Sequence, residues 1–137
     1  MSNMILLPDG WQRPRGFSHG IKARGETIFT GGIVGWDAQE RFVGPDMVSQ
    51  FEQILRNTVA VLAAGGARPE HIVRMTWYVT DRDEYSANLA AIGAAYRTHI
   101  GLHFPAMAVV QVAGLIEPAA RIEIETTAVI PDLDAGA

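Results

Sequence analysis

The chain has 137 residues, 48% hydrophobic and 19% charged, with a net charge of −4 and no cysteine. That balance fits one globular domain with a real core, and it excludes a disordered chain, disulfides, thiolate zinc sites and cysteine nucleophiles. An acidic chain without a run of Lys or Arg is also a poor match to nucleic acid, whose phosphates need a basic face.

No apolar run approaches the roughly 18 residues of a spanning helix. The N-terminal MSNMILLPDGW lacks a basic region followed by a long apolar stretch, so no secretory signal is expected. The expectation is a soluble, cytoplasmic protein with no membrane partner.

Residues 1–16 read as irregular, punctuated by Pro8, Gly10, Pro14 and Gly16. Ser18–Ala23 and Thr27–Val34 read as strands joined by Arg24-Gly25-Glu26, a connection of hairpin length. Gly31-Gly32 inside the second run predicts a bulge, or a close approach by a ligand or another backbone. Residues 35–44 read as a loop, with a short strand around Arg41–Val43.

Pro45-Asp46 opens a helix whose Met47, Val48, Phe51, Ile54, Leu55, Val59 and Leu62 make one apolar face. Gly65-Gly66 ends it. Its Gln50, Glu52, Gln53, Arg56 and Asn57 read as a solvated side. His71–Thr80 is rich in β-branched and aromatic residues and reads as a strand, completing a β-α-β unit. Asp81-Arg82-Asp83 reads as a turn.

A second helix follows from Glu84 to His99, with Tyr85, Leu89, Ile92, Tyr96 and Ile100 as its stripe. Residues 104–115 and 120–130 are the last strands, and the tail DLDAGA reads as frayed. The fold class is α+β, a mixed sheet with two helices on one face. In the last strand Ile122, Ile124 and Thr126 alternate with Arg121, Glu123 and Glu125, one oily face and one partly charged. A sheet covered on one side only favours self-association through the other.

Glu123 is the first candidate for chemistry. A carboxylate between Ile122 and Ile124 that loses water would have a raised pKa, suited to proton transfer or to orienting a water. The alternative is a wet face or an ion pair with Arg121. His99 and His103 have the spacing of a helical metal pair, but Gly101 and Phe104-Pro105 interrupt any helix there, so no metal site is expected. His19 has no visible partner, and no serine sits in a nucleophile elbow. No glycine-rich phosphate loop occurs. Trp36, Trp77 and Tyr78 either line an apolar pocket or belong to core or interface.

Four blocks match a known family: GFSHGIKARGETIFTGGI, QFEQILRNTVAVLAAGGA, HIVRMTWYVTDRDEY, and FPAMAVVQVAGL with RIEIETTAV. In their order and spacing, over about residues 16–130, the chain resembles the RidA/YjgF family, also called Rid and formerly L-PSP endoribonuclease. The resemblance implies a single Rid-like domain over 1–137 with a chorismate-mutase-like fold. It also implies a homotrimer with small-molecule ligand clefts between subunits, and hydrolysis of enamines and imines such as 2-aminoacrylate without metal or organic cofactor.

Residue by residue, the resemblance carries the water-positioning glutamate onto Glu123. The arginine that binds the substrate carboxylate falls on Met107, within Pro105-Ala106-Met107-Ala108. The aromatic hydroxyl of the first strand falls on Phe17, the serine of the second on Gly31, and an asparagine of the second helix near Gly93.

A guanidinium clamps a carboxylate bidentately, whereas Met offers only a flexible apolar surface. The expectation is therefore a divergent imine or enamine hydrolase, poor on 2-aminoacrylate. Its cleft, of Phe17, Gly31, Trp77, Gly93, Met107 and Val109 beside Glu123, prefers a larger, less charged ligand. A backbone N–H near Val109 would polarise the developing charge. A non-catalytic binding or regulatory trimer is the alternative, and a ribonuclease or translation inhibitor the weaker one.

Overall fold

In the computed structural model, which describes residues 3–132, the last strand is the centre of the sheet. This strand, β7 (Ile122–Pro131), is rich in β-branched residues, and its Ile122, Ile124, Thr126 and Ala128 are all buried. On one side it pairs antiparallel with β3 (Gly25–Phe29) and β4 (Ile33–Val34). On the other it pairs antiparallel with β5 (Ile72–Val79), and β6 (Ala106–Gln111) lies parallel to β5 at the edge. A separate two-stranded sheet joins β1 (Met4–Leu6) to β2 (Gly20–Lys22).

Helices α1 (Met47–Ala64) and α3 (Leu89–His99) pack on each other and on one face of this sheet. Their Met47, Phe51, Ile54, Leu55, Ile92 and Tyr96 share a core with Met75, Trp77, Ile122 and Ile124. A short helix, α2 (Arg82–Ala87), leads into α3. No helix among the described residues is long and apolar enough to cross a membrane.

Asp46 caps α1 as its residue type predicts. Its Oδ2 accepts from the Ser49 N–H at 2.9 Å, and the Ser49 hydroxyl donates to Oδ1 at 2.6 Å. These hydrogen bonds, the hydroxyl's first, hold the Asp46 carboxyl below its ordinary pKa. A depressed folded-state pKa gives stability that is present above the unfolded value and lost as pH falls through the folded one. Asp46→Ala is therefore expected to lower stability by about 1 kcal/mol at neutral pH, with the gap closing at acid pH below 4, read by urea denaturation across that range.

Several expectations need correction. The segment expected to be irregular contains β1. The expected hairpin does not form: β2 pairs with β1, and β3 pairs with β7. Near Arg41–Val43 only an isolated bridge between Trp36 and Phe42 forms. Asp81 is the N-cap of α2, accepting from the N–H groups of Asp83 and Glu84. The expected second helix is broken at Asn88, whose side chain donates to the Glu84 carbonyl at 2.7 Å, a local bond that competes with helix continuation. The last two strands are shorter than expected. The frayed tail lies outside the described residues beyond Asp132.

The polar side of α1 is not uniformly wet. Gln50 is fully buried: its amide nitrogen donates to the carbonyls of Gly44 and Ala119, and its oxygen accepts from the Arg121 N–H. Asn57 donates to the Trp36 carbonyl. Both face loops that cross the helix, which periodicity within the helix does not reveal.

Candidate functional site

A cleft of about 510 Å³ opens between α3 and the β6 edge. Its position follows from the register. Met107 pairs with Met75 and Val109 with Trp77 across the parallel β5–β6 ladder. Paired residues share a face, so Met107 and Val109 turn toward the helices. Ser18 docks on the start of β6, its N–H donating to the Pro105 carbonyl and its hydroxyl to the Phe104 carbonyl, at 2.9 and 2.5 Å. That seat brings Phe17 to the cleft mouth. Gly93 of α3 completes this group, so Phe17, Trp77, Gly93, Met107 and Val109 line one cavity.

The floor is aromatic and fixed. Trp77 lies against Phe51, with ring centroids 4.8 Å apart, and Tyr96 stacks on Phe104 at 5.6 Å. The Tyr96 hydroxyl donates to the His103 carbonyl, and burial pushes its pKa up. Trp77 is buried, and its indole N–H has no acceptor among the described residues.

Glu123 and Gly31 lie elsewhere. Glu123 pairs with Tyr78 and Val34 on the face of the sheet away from the helices. Its neighbours Ile122 and Ile124 point into the core, and Glu123 itself is half-buried against Gly32. Arg121 does not pair with it, since that guanidinium binds Glu84 at 2.7 Å.

The run from Phe29 to Ile33 carries one residue more than its partner from Thr127 to Ile124, which is the bulge expected at Gly31-Gly32. The group that comes close to Gly32 is a side chain, not the ligand or backbone expected there. An ideal Cβ on Gly32 would collide with the Glu123 Oε2, so the carboxylate lies against bare backbone. On the same face the Tyr78 hydroxyl donates to Glu125 at 2.7 Å, and that carboxylate holds the phenol above its ordinary pKa. Phe29, 73% exposed, and Val110 share this face. Within one chain the cleft and Glu123 therefore sit on opposite sides of the sheet.

The histidines go to separate partners. His99 meets Glu52 at 3.2 Å and His103 meets the Ile72 carbonyl at 2.6 Å. His19 packs edge-on against Trp11 and Phe17. Among the described residues no group of three or more His, Asp or Glu is placed to hold a metal. Trp36 packs edge-on against Phe42, away from the cleft. Sequence reasoning missed two guanidinia at the cleft, Arg15 and Arg97. The available signal was the spacing of Gly93 and Arg97, one helical turn apart.

The profile described as Endoribonuclease L-PSP matches residues 12–130. The chain is 33% identical over 105 residues to the 2-iminobutanoate/2-iminopropanoate deaminase of Salmonella typhimurium, covering 77% of this chain and 80% of that one. It is 34% identical over 106 residues to protein DfrA of Myxococcus xanthus, 77% of each chain. A crystal structure of a Rid-family protein of unknown function from Yersinia pestis superposes with a TM-score of 0.84 at 34% identity, over 95% of this chain and 100% of that one. The Escherichia coli YjgF gene product superposes with a TM-score of 0.65 at 31% identity, over 82% and 87%.

Proposed function

The chain belongs to the Rid/YjgF family, and from that premise we propose that it hydrolyses an imine or enamine in a cleft shared between two copies of the chain, as a divergent member and not as a 2-aminoacrylate deaminase. Glu123 takes a proton from a water whose oxygen bonds to the carbon of the C=N group. Glu123 passes that proton to the nitrogen, giving a carbinolamine, then takes the carbinolamine hydroxyl proton and delivers it to the amine as the C–N bond breaks, so that a carbonyl remains and ammonia leaves. The Val109 backbone N–H stabilises the charge that develops.

The observation that carries this reading is the split site. The cleft and Glu123 occupy opposite faces of one sheet, so in this reading a second copy supplies the carboxylate to the cleft. Phe29 and Val110 on the Glu123 face give that copy an apolar surface to cover. The Salmonella relative's name gives the reaction class. Met107 stands where the resemblance places the arginine, so an imino acid loses its clamp on β6 and a small one has little apolar body to hold it instead.

The test generates 2-imino acids in situ with an amino-acid oxidase and follows their decay. Faster decay for the imine of a large apolar amino acid, with 2-iminopropanoate accelerated at least about tenfold less, is expected because both share the carboxylate and only the larger side chain gains apolar contact in the cleft, worth about 1.5–3 kcal/mol. An equal or stronger effect on 2-iminopropanoate overturns the substrate assignment. No acceleration on any imine leaves the binding trimer as the better reading.

A further inference from the structure

The cleft has lost its guanidinium at Met107, yet it is not uncharged. Arg97 and Arg15 both line it, and no carboxylate does. In a chain of net charge −4 that is a local reversal of sign. Among the described residues neither Arg97 nor Arg15 pairs with a carboxylate, as is also true of Arg13, Arg74 and Arg82, but Arg97 and Arg15 are the two that line the cleft.

The placement of Arg97 has a local cause. Side chains on a helix lean toward its N-terminus and cover the residue one turn earlier. For Arg97 that residue is Gly93, and an ideal Cβ there would lie 3.2 Å from the Arg97 Nη1. The missing side chain at Gly93 leaves the groove in which the guanidinium lies. Gly93 and Arg97 act as one unit, the first making room for the second.

We infer that Arg97, seated over Gly93 and assisted by Arg15, recognises a ligand carboxylate at the mouth of the cleft, and that the body of that ligand is aromatic. The carboxylate follows from planar guanidinia, which match its geometry and stay charged at any physiological pH. The aromatic body follows from the walls, where Trp77, Tyr96 and Phe104 offer ring faces and edges and Met107 a polarisable flank. The charge is thus relocated from strand to helix, which revises the less charged ligand expected from Met107 alone. With the hydrolase reading, on which this inference rests, the substrate is an aromatic 2-imino acid.

The test is a calorimetric titration of the assembled protein with phenylpyruvate, its methyl ester and pyruvate. Phenylpyruvate is expected to bind at least about tenfold more tightly than either comparator. Arg97→Gln, a change at an exposed position, is expected to abolish the preference for acid over ester while leaving ester binding unchanged. Gly93→Ala, whose Cβ makes the guanidinium give by a few tenths of an ångström, is expected to reduce that preference by less than Arg97→Gln does. Equal binding of acid and ester by the wild type overturns the inference, as does an equal loss of both in Arg97→Gln. Because phenylpyruvate cannot be hydrolysed, Arg97-dependent binding without imine turnover would sink only the hydrolase reading. Turnover indifferent to Arg97→Gln would sink only this one.

Discussion

Glu123→Gln is expected to lower kcat for imine hydrolysis by about 10²- to 10⁴-fold, the usual contribution of a positioned acid–base group. The amide keeps the size of the side chain and cannot take a proton from water. Thermal stability should hardly change, because Glu123 is only partly buried and makes no hydrogen bond or ion pair among the described residues. Gly32→Ala is the informative companion. Its new Cβ would collide with the far end of the Glu123 side chain, which can swing away at little energetic cost. The fold should survive while the carboxylate moves, so turnover falls and Tm does not. Rates within twofold of wild type in Glu123→Gln would rule out water activation through this residue.

Gln50→Ala is expected to destabilise the protein by roughly 3 kcal/mol or more. The change removes three hydrogen bonds to backbone groups and opens a cavity beneath α1. Each donor or acceptor stranded away from water costs about 1–3 kcal/mol, and the cavity adds to that. Gln50→Leu tests the cause: it refills most of the volume but restores no hydrogen bond, so it should remain destabilised. Recovery of wild-type stability in Gln50→Leu would assign the effect to packing. Gln50 also holds the Arg121 N–H, at the entry to the strand that carries Glu123, so milder changes here should act on turnover before they unfold the chain.

The elements whose partners lie within a short window were legible. The face of α1 was visible in its periodicity, its start in Asp46 and its end in Gly65-Gly66. The alternation of β7 correctly separated Ile122 and Ile124 from Glu123. What failed depended on distant partners. Arg24-Gly25-Glu26 has the length of a hairpin turn, but Gly25 sits opposite Pro131 and passes against the Ile130 carbonyl, so β3 is claimed by the far end of the chain. Gln50 looked solvated because its partners lie in loops that cross α1, at Gly44 and at Ala119 to Arg121.

At the candidate site, Phe17, Trp77, Gly93, Met107 and Val109 do meet. Glu123 belongs to the other face, as parity along β7 already implied, and Gly31 lies in the bulge outside the cleft. Arg97 was hidden for a different reason: an exposed arginine on a helix is ordinary until the residue one turn before it is seen to be a glycine.

The extra residue between β3 and β4 makes the length of that run a matter of parity. Ile28 and Ile33 both pack on the core although an odd number of steps separates them, which an unbroken ladder forbids. The bulge acts as a phase shifter: it inverts which side of the strand is oily, partway along. A sequence shortened by one glycine would still look like a good strand, but Ile33 would turn outward and the bare backbone that receives Glu123 would be gone. Among relatives of this chain, a gap at 31–32 would therefore mark a different active face, however well the flanking residues align.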